Sequence, residues 1–478
     1  MKSDQDKAPE PNPLGSSAER STPTRIRARV LEQSILFVSI VKWLFFAACV
    51  GVIVGSSTMI FLKALEKSIS LASSFRYYFV LLPAALFASS FIINRLALEA
   101  KGHGTEKVIE AVHKRWGKMD PWAVPVKLIA TIITIALGGS AGKEGPCAQI
   151  GAGLASTFAG WLKFDDVDRR KLVVCGISAG FAAVFGTPIA GAMFGVEVLF
   201  IGSLLYDVFL PSFVAGIIGY QVSSHLGVLY FHETLRFVPT FSGLFFMKVC
   251  ASGLFFGICS FLFIEMLRYF ERLSGKVRLW EPIAAALGGA CLVGLAFALS
   301  PRYLGLGLGT MQHALEGGHV PVFSFVAKML FTSITLNFGG SGGIVTPIFF
   351  VGATAGNVFA RVLGFDLPVF SAIGMVGLLA GAANTPISAS IMAVELFGPA
   401  VAPYAAIACV ISFLMTGHRS VYPSQVLAAS KSRSLIVSKG REIYVCDVDF
   451  KPRPKTIAGG IVKGFQKLER KRHEDDIT

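Results

Sequence analysis

Gly138-Gly139-Ser140-Ala141-Gly142-Lys143-Glu144-Gly145-Pro146 is the stretch that decides the fold of this chain. It follows the apolar run 124–137, and its four glycines and one proline do not fit the interior of a stable helix. In lipid, such an interruption is tolerated only where it is buried in protein or lines a cavity. Glu144 places an ionisable group in the interruption, and ionisable groups at membrane depth are typical of functional sites.

A second copy of this stretch lies in the other half of the chain. It reads Gly339-Gly340-Ser341-Gly342-Gly343-Ile344-Val345-Thr346-Pro347, and Pro347 follows Pro146 by 201 residues. Two further motif pairs recur in the same order with a similar spacing: Gly102-His103-Gly104-Thr105 with Gly307-Leu308-Gly309-Thr310, and Thr187-Pro188-Ile189-Ala190 with Thr385-Pro386-Ile387-Ser388. Chance recurrence among 50 glycines explains one pair but not three. Interrupted segments at matching positions of two repeats predict a transport site near the middle of the membrane.

The composition is that of a membrane protein. Of the 478 residues, 53% are hydrophobic and only 15% are charged, whereas a soluble domain carries about 25% charged residues. Several apolar stretches reach the ~20 residues needed to cross a bilayer, such as 34–62, 245–263 and 282–299. The first two helices are expected at about 31–63 and 70–98. The predicted fold class is therefore an all-α polytopic membrane protein, and a large soluble protein is excluded.

Positive charge is concentrated at the two ends of the chain, which carries a net charge of +14. This distribution predicts cytoplasmic termini, contact with membrane lipid and a location in the plasma (inner) membrane, and no binding to nucleic acid. Residues 1–30, rich in proline, serine and charge, are predicted to be a disordered cytoplasmic segment. Residues 31–430 are predicted to form the transmembrane domain, with repeat halves at about 31–205 and 240–430, followed by a basic cytoplasmic tail at 431–478.

The residues that could carry enzymatic or metal chemistry do not form recognisable motifs. The eight cysteines are scattered through mostly apolar segments without a Cys-x-x-Cys pair, so neither a disulfide framework nor a metal site is predicted. An intramembrane enzyme would need a nucleophile with its base, or a set of metal ligands, and no cluster in the apolar segments has such spacing. We therefore expect neither enzymatic activity nor a cofactor.

The prolines after the interruptions indicate how an anion could be bound. Pro146, Pro188, Pro347 and Pro386 each suit an early position of a helix. Helix N-termini present unpaired N–H groups and about half a positive charge, so several of them aimed at one point form an anion site. Amides hold an anion weakly enough for it to leave, which transport requires.

Glu144 has two interpretations at such a site. Its carboxylate can occupy and block the site when ionised and yield to a permeating anion when protonated, or it is a structural cap of a helix N-terminus. Tyr422 could close the inner end by donating its hydroxyl to an anion, or it could be an interfacial aromatic residue. Glu197 and Glu395, at matching positions of the two repeats, either cap helices or pair with other groups.

These motifs resemble those of the CLC family of chloride channels and proton-coupled chloride exchangers, over about residues 31–427. Gly142-Lys143-Glu144-Gly145-Pro146 resembles the family motif G-[KR]-E-G-P, and Gly343-Ile344-Val345-Thr346-Pro347 resembles its G-x-F-x-P motif. Gly102-His103-Gly104-Thr105-Glu106 resembles its G-S-G-I-P motif, and Ser420-Val421-Tyr422 the segment with its pore tyrosine. The resemblance implies an inverted-topology repeat of many tilted and partial helices. It also implies a homodimer with one pore in each subunit.

The resemblance further implies roles for single residues. Glu144 corresponds to the external gating glutamate, and Tyr422 corresponds to the tyrosine whose hydroxyl meets the central anion, which is chloride or another small anion. The other anion-binding positions that it implies are His103, Gly104, Lys143, Gly145 and the backbone amides of Ile344 and Val345. The tail after residue 430 is too short for the paired nucleotide-binding (CBS) domains of some members.

This chain departs from the family pattern at positions that bear on transport. His103 replaces a serine, Glu106 a proline and Val345 a phenylalanine, which leaves the choice among chloride, nitrate and fluoride open. Val198 stands at the position where some exchangers carry an inner proton-transfer glutamate and channel members carry valine. Because valine cannot relay a proton, we expect passive anion conduction gated by Glu144. The alternative is a proton-coupled antiporter of chloride or fluoride on the same scaffold.

Overall fold

The computed structural model describes residues 22–230, 235, 239, 242–443, 451–453, 456 and 460. These residues form sixteen α-helices, short 3₁₀ turns and two-residue strands. The α-helices are α1 (Thr22–Ser73), α2 (Leu82–Leu96), α3 (Thr105–Lys114), α4 (Ala123–Ala136), α5 (Glu144–Trp161), α6 (Asp166–Phe185), α7 (Pro188–Glu197), α8 (Phe209–His225), α9 (Gly243–Lys276), α10 (Glu281–Ala298), α11 (Leu308–Leu315), α12 (Ser324–Asn337), α13 (Val345–Leu363), α14 (Leu367–Ala383), α15 (Pro386–Phe397) and α16 (Ala402–Met415). The strands are β1 (Phe200–Ile201), β2 (Val426–Leu427), β3 (Leu435–Ile436) and β4 (Lys451–Pro452). The predicted all-α class is confirmed.

Five of the described helices are long and apolar enough to cross a membrane. They are α1 from Arg29 onward, α2 with the turn before it, α9, α10 and α13. The packing of the chain defines two units, which are the described residues up to Phe45 and the residues from Phe46 onward. The candidate site lies entirely in the second unit.

The first two helices differ from the sequence prediction at their ends. α1 continues to Ser73, past the predicted end near residue 63, because Glu66 and Lys67 are good helix formers that extend the apolar run. α2 begins only at Leu82, where Pro83 occupies the first turn, and not near residue 70.

Two predicted segments fall largely or partly outside the described residues. Of the segment 1–30, predicted to be disordered, positions 1–21 lie outside, while 22–30 belong to α1. The predicted tail at 431–478 is described only at 431–443, 451–453, 456 and 460.

The second half of the chain repeats the helix order of the first, and the two halves meet at the interruptions. α4, α5, α6 and α7 correspond to α12, α13, α14 and α15. The N–H of Gly142 donates to the carbonyl of Gly343 at 2.7 Å, and the N–H of Gly343 donates to the carbonyl of Gly142 at 2.6 Å. This antiparallel bridge places a pseudo-two-fold axis between the halves.

Further bonds between the halves obey the same two-fold relation. Two backbone amides donate to threonine Oγ1 atoms of the other half: Ser140 to Thr335 at 3.1 Å, and Ser341 to Thr134 at 3.0 Å. Two hydroxyl pairs are each 3.0 Å apart: Thr131 with Ser341, and Ser140 with Thr332. All of these side chains are buried. Each half therefore supplies partners for polar groups that the other half buries in the membrane.

Close backbone contacts hold α5 against α6 and α13 against α14. A Cβ added to Gly176 of α6 would lie 2.5 Å from the carbonyl oxygen of Gly151 in α5. A Cβ added to Gly374 of α14 would likewise collide with the carbonyl oxygen of Gly352 in α13. Small residues let membrane helices approach closely and pack by van der Waals contact. The N-termini of α5 and α13 are therefore fixed by packing along the helices behind them.

Candidate functional site

Three backbone segments meet where the two glycine-rich stretches cross. Gly104 precedes α3 with φ of +82°, Gly145 lies in the first turn of α5, and Gly343 precedes α13. A Cβ added to Gly343 would lie 2.6 Å from the amide nitrogen of Gly145, and a Cβ on Gly145 would collide with the carbonyl of His103. The starts of α3, α5 and α13 are therefore in contact, and adjacent helix N-termini favour an anion.

Glu144 is the first residue of α5, and it binds the opposite half of the chain. The residue is 1% exposed. Its Oε2 accepts from the backbone N–H of Thr346 at 3.1 Å, and its Oε1 accepts from the hydroxyl of the same residue. Thr346 lies in the first turn of α13. Both interpretations of Glu144 therefore apply to the same position, because the helix N-terminus that the carboxylate caps is also suited to binding an anion.

Tyr422 lies in the segment between α16 and β2 and is fully buried. Its backbone amide donates to Oγ of Ser420 at 2.9 Å. Its hydroxyl has no hydrogen-bond partner among the described residues, and the same holds for Nδ1 of His103. Complete burial in protein does not fit the alternative of an interfacial aromatic residue. The phenol therefore keeps a buried hydrogen-bond donor that no described residue uses.

The other anion-binding positions expected from the sequence divide into two groups. Gly104, Gly145, Ile344 and Val345 lie at the crossing and offer only backbone groups, because their side chains are absent or apolar. Lys143 precedes α5 and is half-buried, and its side chain lines a separate cavity.

Two cavities open beside the crossing, and the pseudo-two-fold relation exchanges them. The His103 cavity, of about 760 Å³, is lined by the loop before α3 and by Leu336, Gly339 and Gly340 of the second half. The Lys143 cavity, of about 600 Å³, is lined by the loop before α11 and by Ile135 of the first half. The two share no lining residue.

Basic side chains line both cavities, and they attract anions to each mouth. In the His103 cavity they are Lys101, Lys107, Arg268 and Arg272. In the Lys143 cavity they are Lys63, Lys143 and Arg302. Positive charge therefore lines a cavity on each side of the crossing.

Two buried lysines support the loops that approach the crossing, and the sequence analysis missed them. The ammonium group of Lys127 donates to the carbonyls of Ala100 and Gly102, at 3.1 and 2.6 Å. Lys328, 201 residues later, donates to the carbonyls of Tyr303 and Gly305, at 3.0 and 2.7 Å. Both lysines are fully buried. The signal that could have found them is their spacing, which equals that of the glycine-rich stretches.

Glu197 and Glu395 each cap a helix of the other half, which resolves the alternatives left open by the sequence. Glu197 accepts from the backbone N–H groups at the start of α15, on Ile387 at 3.0 Å and Ser388 at 2.8 Å. Glu395 accepts from those at the start of α7, on Ile189 at 3.0 Å and Ala190 at 2.8 Å. Both oxygens of each carboxylate are used in these caps.

Val198 is fully buried directly after α7. Its carbonyl accepts from Nε2 of Gln425 at 2.7 Å, which ties the end of α7 to the segment that follows Tyr422. The side chain offers no proton-binding atom. In the part of the chain that the structure describes, no group of three or more His, Cys, Asp or Glu residues could hold a metal ion.

Sequence comparisons connect this architecture with known proteins. A sequence model of the family described as "Voltage gated chloride channel" matches residues 84–417. The chloride/fluoride channel protein of Pseudomonas syringae pv. tomato is 35% identical over 407 residues, which are 84% of this chain and 90% of that protein. The voltage-gated ClC-type chloride channel ClcB of Shigella flexneri is 29% identical over 68% of this chain and 80% of that protein.

Solved structures show the same fold. A CLC-type fluoride/proton antiporter superposes with a TM-score of 0.78 at 26% identity, over 81% of this chain and 98% of that one. A slow cyanobacterial Cl⁻/H⁺ antiporter superposes with a TM-score of 0.70 at 19% identity, over 78% of this chain and 94% of that one. The crossed helix N-termini agree with these similarities. Because the family model matches most of the chain, and because a relative is 35% identical over most of its length, this chain is an integral membrane protein that belongs to the CLC family of anion-transport proteins.

Proposed function

We propose that this protein exchanges a small anion for protons across the membrane, and that Glu144 acts as both the gate and a proton carrier. The observation that carries the proposal is the place of the Glu144 carboxylate on the first turn of α13. The N–H and the hydroxyl of Thr346 both donate to it there. An anion bound at that N-terminus would compete with the ionised carboxylate for the same donors.

This competition links the anion to a proton. Because Glu144 is 1% exposed, an ionised carboxylate pushed off Thr346 would be a buried charge without partners, at a cost of several kcal/mol. Protonation removes the charge and releases the side chain. Anion binding then favours the protonated form of Glu144, and protonation favours anion binding to the same degree. If proton and anion approach from opposite sides, the cycle exchanges them.

The names of similar proteins support both the coupling and the choice of anions. The solved structure that superposes at a TM-score of 0.78 is described as a fluoride/proton antiporter, and the Pseudomonas relative as a chloride/fluoride channel protein. We therefore propose chloride and fluoride as the anions, since a site of N–H and O–H donors suits small, strongly accepting anions.

Passive conduction is the second candidate, and Val198 is the observation that favours it. Valine at this position provides no group for a proton from the inner side. It leaves Glu144 and its competition with the anion intact, however, so the expectation of a passive channel takes second place to exchange.

The test is simultaneous measurement of anion and proton flux from purified protein in liposomes, with an imposed chloride or fluoride gradient. We expect the anion gradient to drive protons uphill in a fixed ratio. Glu144→Ala should conduct anions without moving protons uphill, whereas Glu110→Gln, a change of a half-exposed carboxylate outside the crossing, should behave like the unaltered protein. Anion flux from the unaltered protein without uphill proton movement would overturn the proposal in favour of the channel.

A further inference from the structure

Glu106, in the first turn of α3, has contacts that anion binding does not explain. Its Oε1 accepts from the amide of Ser424 at 3.0 Å and from the hydroxyl of Ser424 at 2.5 Å. Its Oε2 is buried and has no hydrogen-bond partner among the described residues. One oxygen is therefore anchored to the segment that carries Tyr422, and the other is left unpaired.

Three other carboxylates that join the two halves are bound differently. Glu144, Glu197 and Glu395 each use both oxygens, and their donors are backbone N–H groups or a hydroxyl of the other half. A buried, unpaired oxygen on an ionised carboxylate is costly, whereas a protonated carboxyl carries an O–H that can donate. Glu106 therefore has the features of a group that binds and releases a proton, and not those of a structural cap.

Glu106 also borders a cavity that is large enough to hold water. It lines the His103 cavity, whose volume of about 760 Å³ exceeds by far the roughly 30 Å³ that one water molecule occupies. Two other acidic residues line this cavity, Glu271 and Glu281, and both are exposed. Glu281 is paired with Lys101 at 2.9 Å. Glu106 is thus the acidic residue that connects the cavity to the buried interior.

The segment that anchors Glu106 through Ser424 also carries Tyr422. The hydroxyl of Tyr422 is buried without a hydrogen-bond partner among the described residues, and Ser424, which holds Oε1 of Glu106, follows Tyr422 by two residues. A hydroxyl both accepts and donates a proton. When Oη of Tyr422 takes the proton from Oε2 of Glu106 and its own hydrogen passes to the Glu144 carboxylate, the phenol is restored and one proton has moved.

We propose that Glu106 is the inner proton-binding residue of this protein, and that it passes protons from the His103 cavity through Tyr422 to Glu144. The inference rests on the proposed exchange function, and it names a residue for the step that Val198 cannot perform. The titratable groups around Glu106 are Lys107 and Glu110 on α3 and Tyr422 after α16. The cavity that Glu106 lines also carries Lys101, His103, Arg268, Glu271, Arg272 and Glu281.

The test is Glu106→Gln in the same liposome assay. Glutamine keeps an oxygen that accepts from Ser424, but it cannot take up a proton. We expect uphill proton flux to fall at least about tenfold while anion flux stays within about twofold. The matched control is Glu110→Gln on the same helix, whose carboxylate pairs with Lys107 at 2.8 Å, and it should leave the proton-to-anion ratio unchanged.

The outcomes separate this inference from the function on which it rests. If the unaltered protein moves no protons uphill, exchange itself is wrong. If the unaltered protein and Glu106→Gln are coupled equally, exchange stands and the role of Glu106 is wrong. If both fluxes fall in proportion in Glu106→Gln, the residue is only an anchor for the Tyr422 segment, and the inference is overturned.

Ser424→Ala provides the test should Glu106→Gln fail to fold. The change removes the hydroxyl that donates to Oε1 of Glu106 and leaves the backbone donor in place. Loss of a donor favours the protonated carboxyl, so the half-maximal proton flux should shift to a higher pH on the His103-cavity side. An unshifted pH profile in a coupled Ser424→Ala protein would overturn the inference.

Discussion

The two halves of this protein share a scaffold but not their chemistry. The buried lysines and the capping glutamates occur in pairs and make matching bonds in both halves. The residues at the crossing do not occur in such pairs. The first half has His103, Glu106, Lys143 and Glu144, and the second half has Leu308, Met311, Ile344 and Val345 at the corresponding positions. Polar groups that hold the fold together are therefore duplicated, whereas the titratable side chains at these four positions occur only in the first half. This difference gives a pseudo-symmetric scaffold two cavities with unlike linings.

The largest expected effect tests the crossing itself, by comparing Gly104→Ala with Gly309→Ala. At Gly104, φ is +82° and an added Cβ would collide with the carbonyl of Gly145, whereas Gly309 lies in α11 with open space around it. We expect Gly104→Ala to lose transport and about 3 kcal/mol or more of folding free energy. Gly309→Ala should be neutral or stabilising by up to about 1 kcal/mol. Thermal unfolding and anion flux in liposomes are measured for both variants. Similar losses of stability and flux in the two variants would show that the two halves are equally constrained at these glycines.

The second test compares Lys127→Met with Lys328→Met. Each change fills the space of the lysine stem but leaves two buried carbonyls without a donor, which should cost about 2 to 3 kcal/mol in either half. Only Lys127 supports the loop that carries His103. We therefore expect equal losses of thermal stability but a larger loss of anion flux for Lys127→Met. Equal flux losses would indicate that both loops contribute alike to the pathway.

The third test compares Glu197→Gln with Glu395→Gln. Glutamine offers one acceptor oxygen and no charge to two N–H groups, so each change should cost about 1 kcal/mol at the capped helix. The proton-to-anion ratio should stay unchanged in both, because these carboxylates are structural. A selective loss of proton flux in Glu197→Gln would instead place that carboxylate on the proton route.

The smallest effects concern the crossed hydroxyls. Thr131→Val and Ser341→Ala each remove one side of the same hydrogen bond, at about 1 kcal/mol, and their effects on unfolding should be less than additive. Thr131→Val and Thr332→Val remove bonds on opposite sides of the axis, and their effects should add. A double-mutant cycle of thermal stability measures the coupling in each pair of variants. Coupling between Thr131→Val and Thr332→Val would mean that a change on one side of the axis also alters the hydrogen bond on the other side.

Much of this fold could be predicted because its main signals are local. The apolar runs, the glycine-rich interruptions and their spacing are each visible in a short window, and they identify both the membrane class and the crossing. The resemblance of residues 142–146 to a family motif pointed to Glu144, which the structure places on α13. The end of α1 was missed because polar residues beyond an apolar run can continue a helix, and the start of α2 was missed because Pro83 sets its first turn.

The bonds between the halves could not be predicted, because their partners lie far apart in the sequence. Glu197 finds its donors 190 and 191 residues away, and nothing in its own segment distinguishes a cap from an ion pair. Lys127 would be read as an interfacial cation from its sequence, yet tertiary structure buries it against two carbonyls. Glu106 stood out only as a replaced proline, since its unpaired oxygen depends on where Ser424 is placed.

The hydrogen bonds between the two halves also affect the order in which the protein can fold during synthesis. Thr134 and Glu197 of the first half receive their donors only when residues 207 and 190 positions later have been synthesised. At a translation rate of roughly 5–20 residues per second, that wait is about 10 to 40 s. Until then, the Glu197 carboxylate lacks both of the backbone donors that bind it in the complete fold, at a cost of several kcal/mol. The first half therefore cannot complete its polar contacts alone, and a chain released between the halves is not half of a transporter.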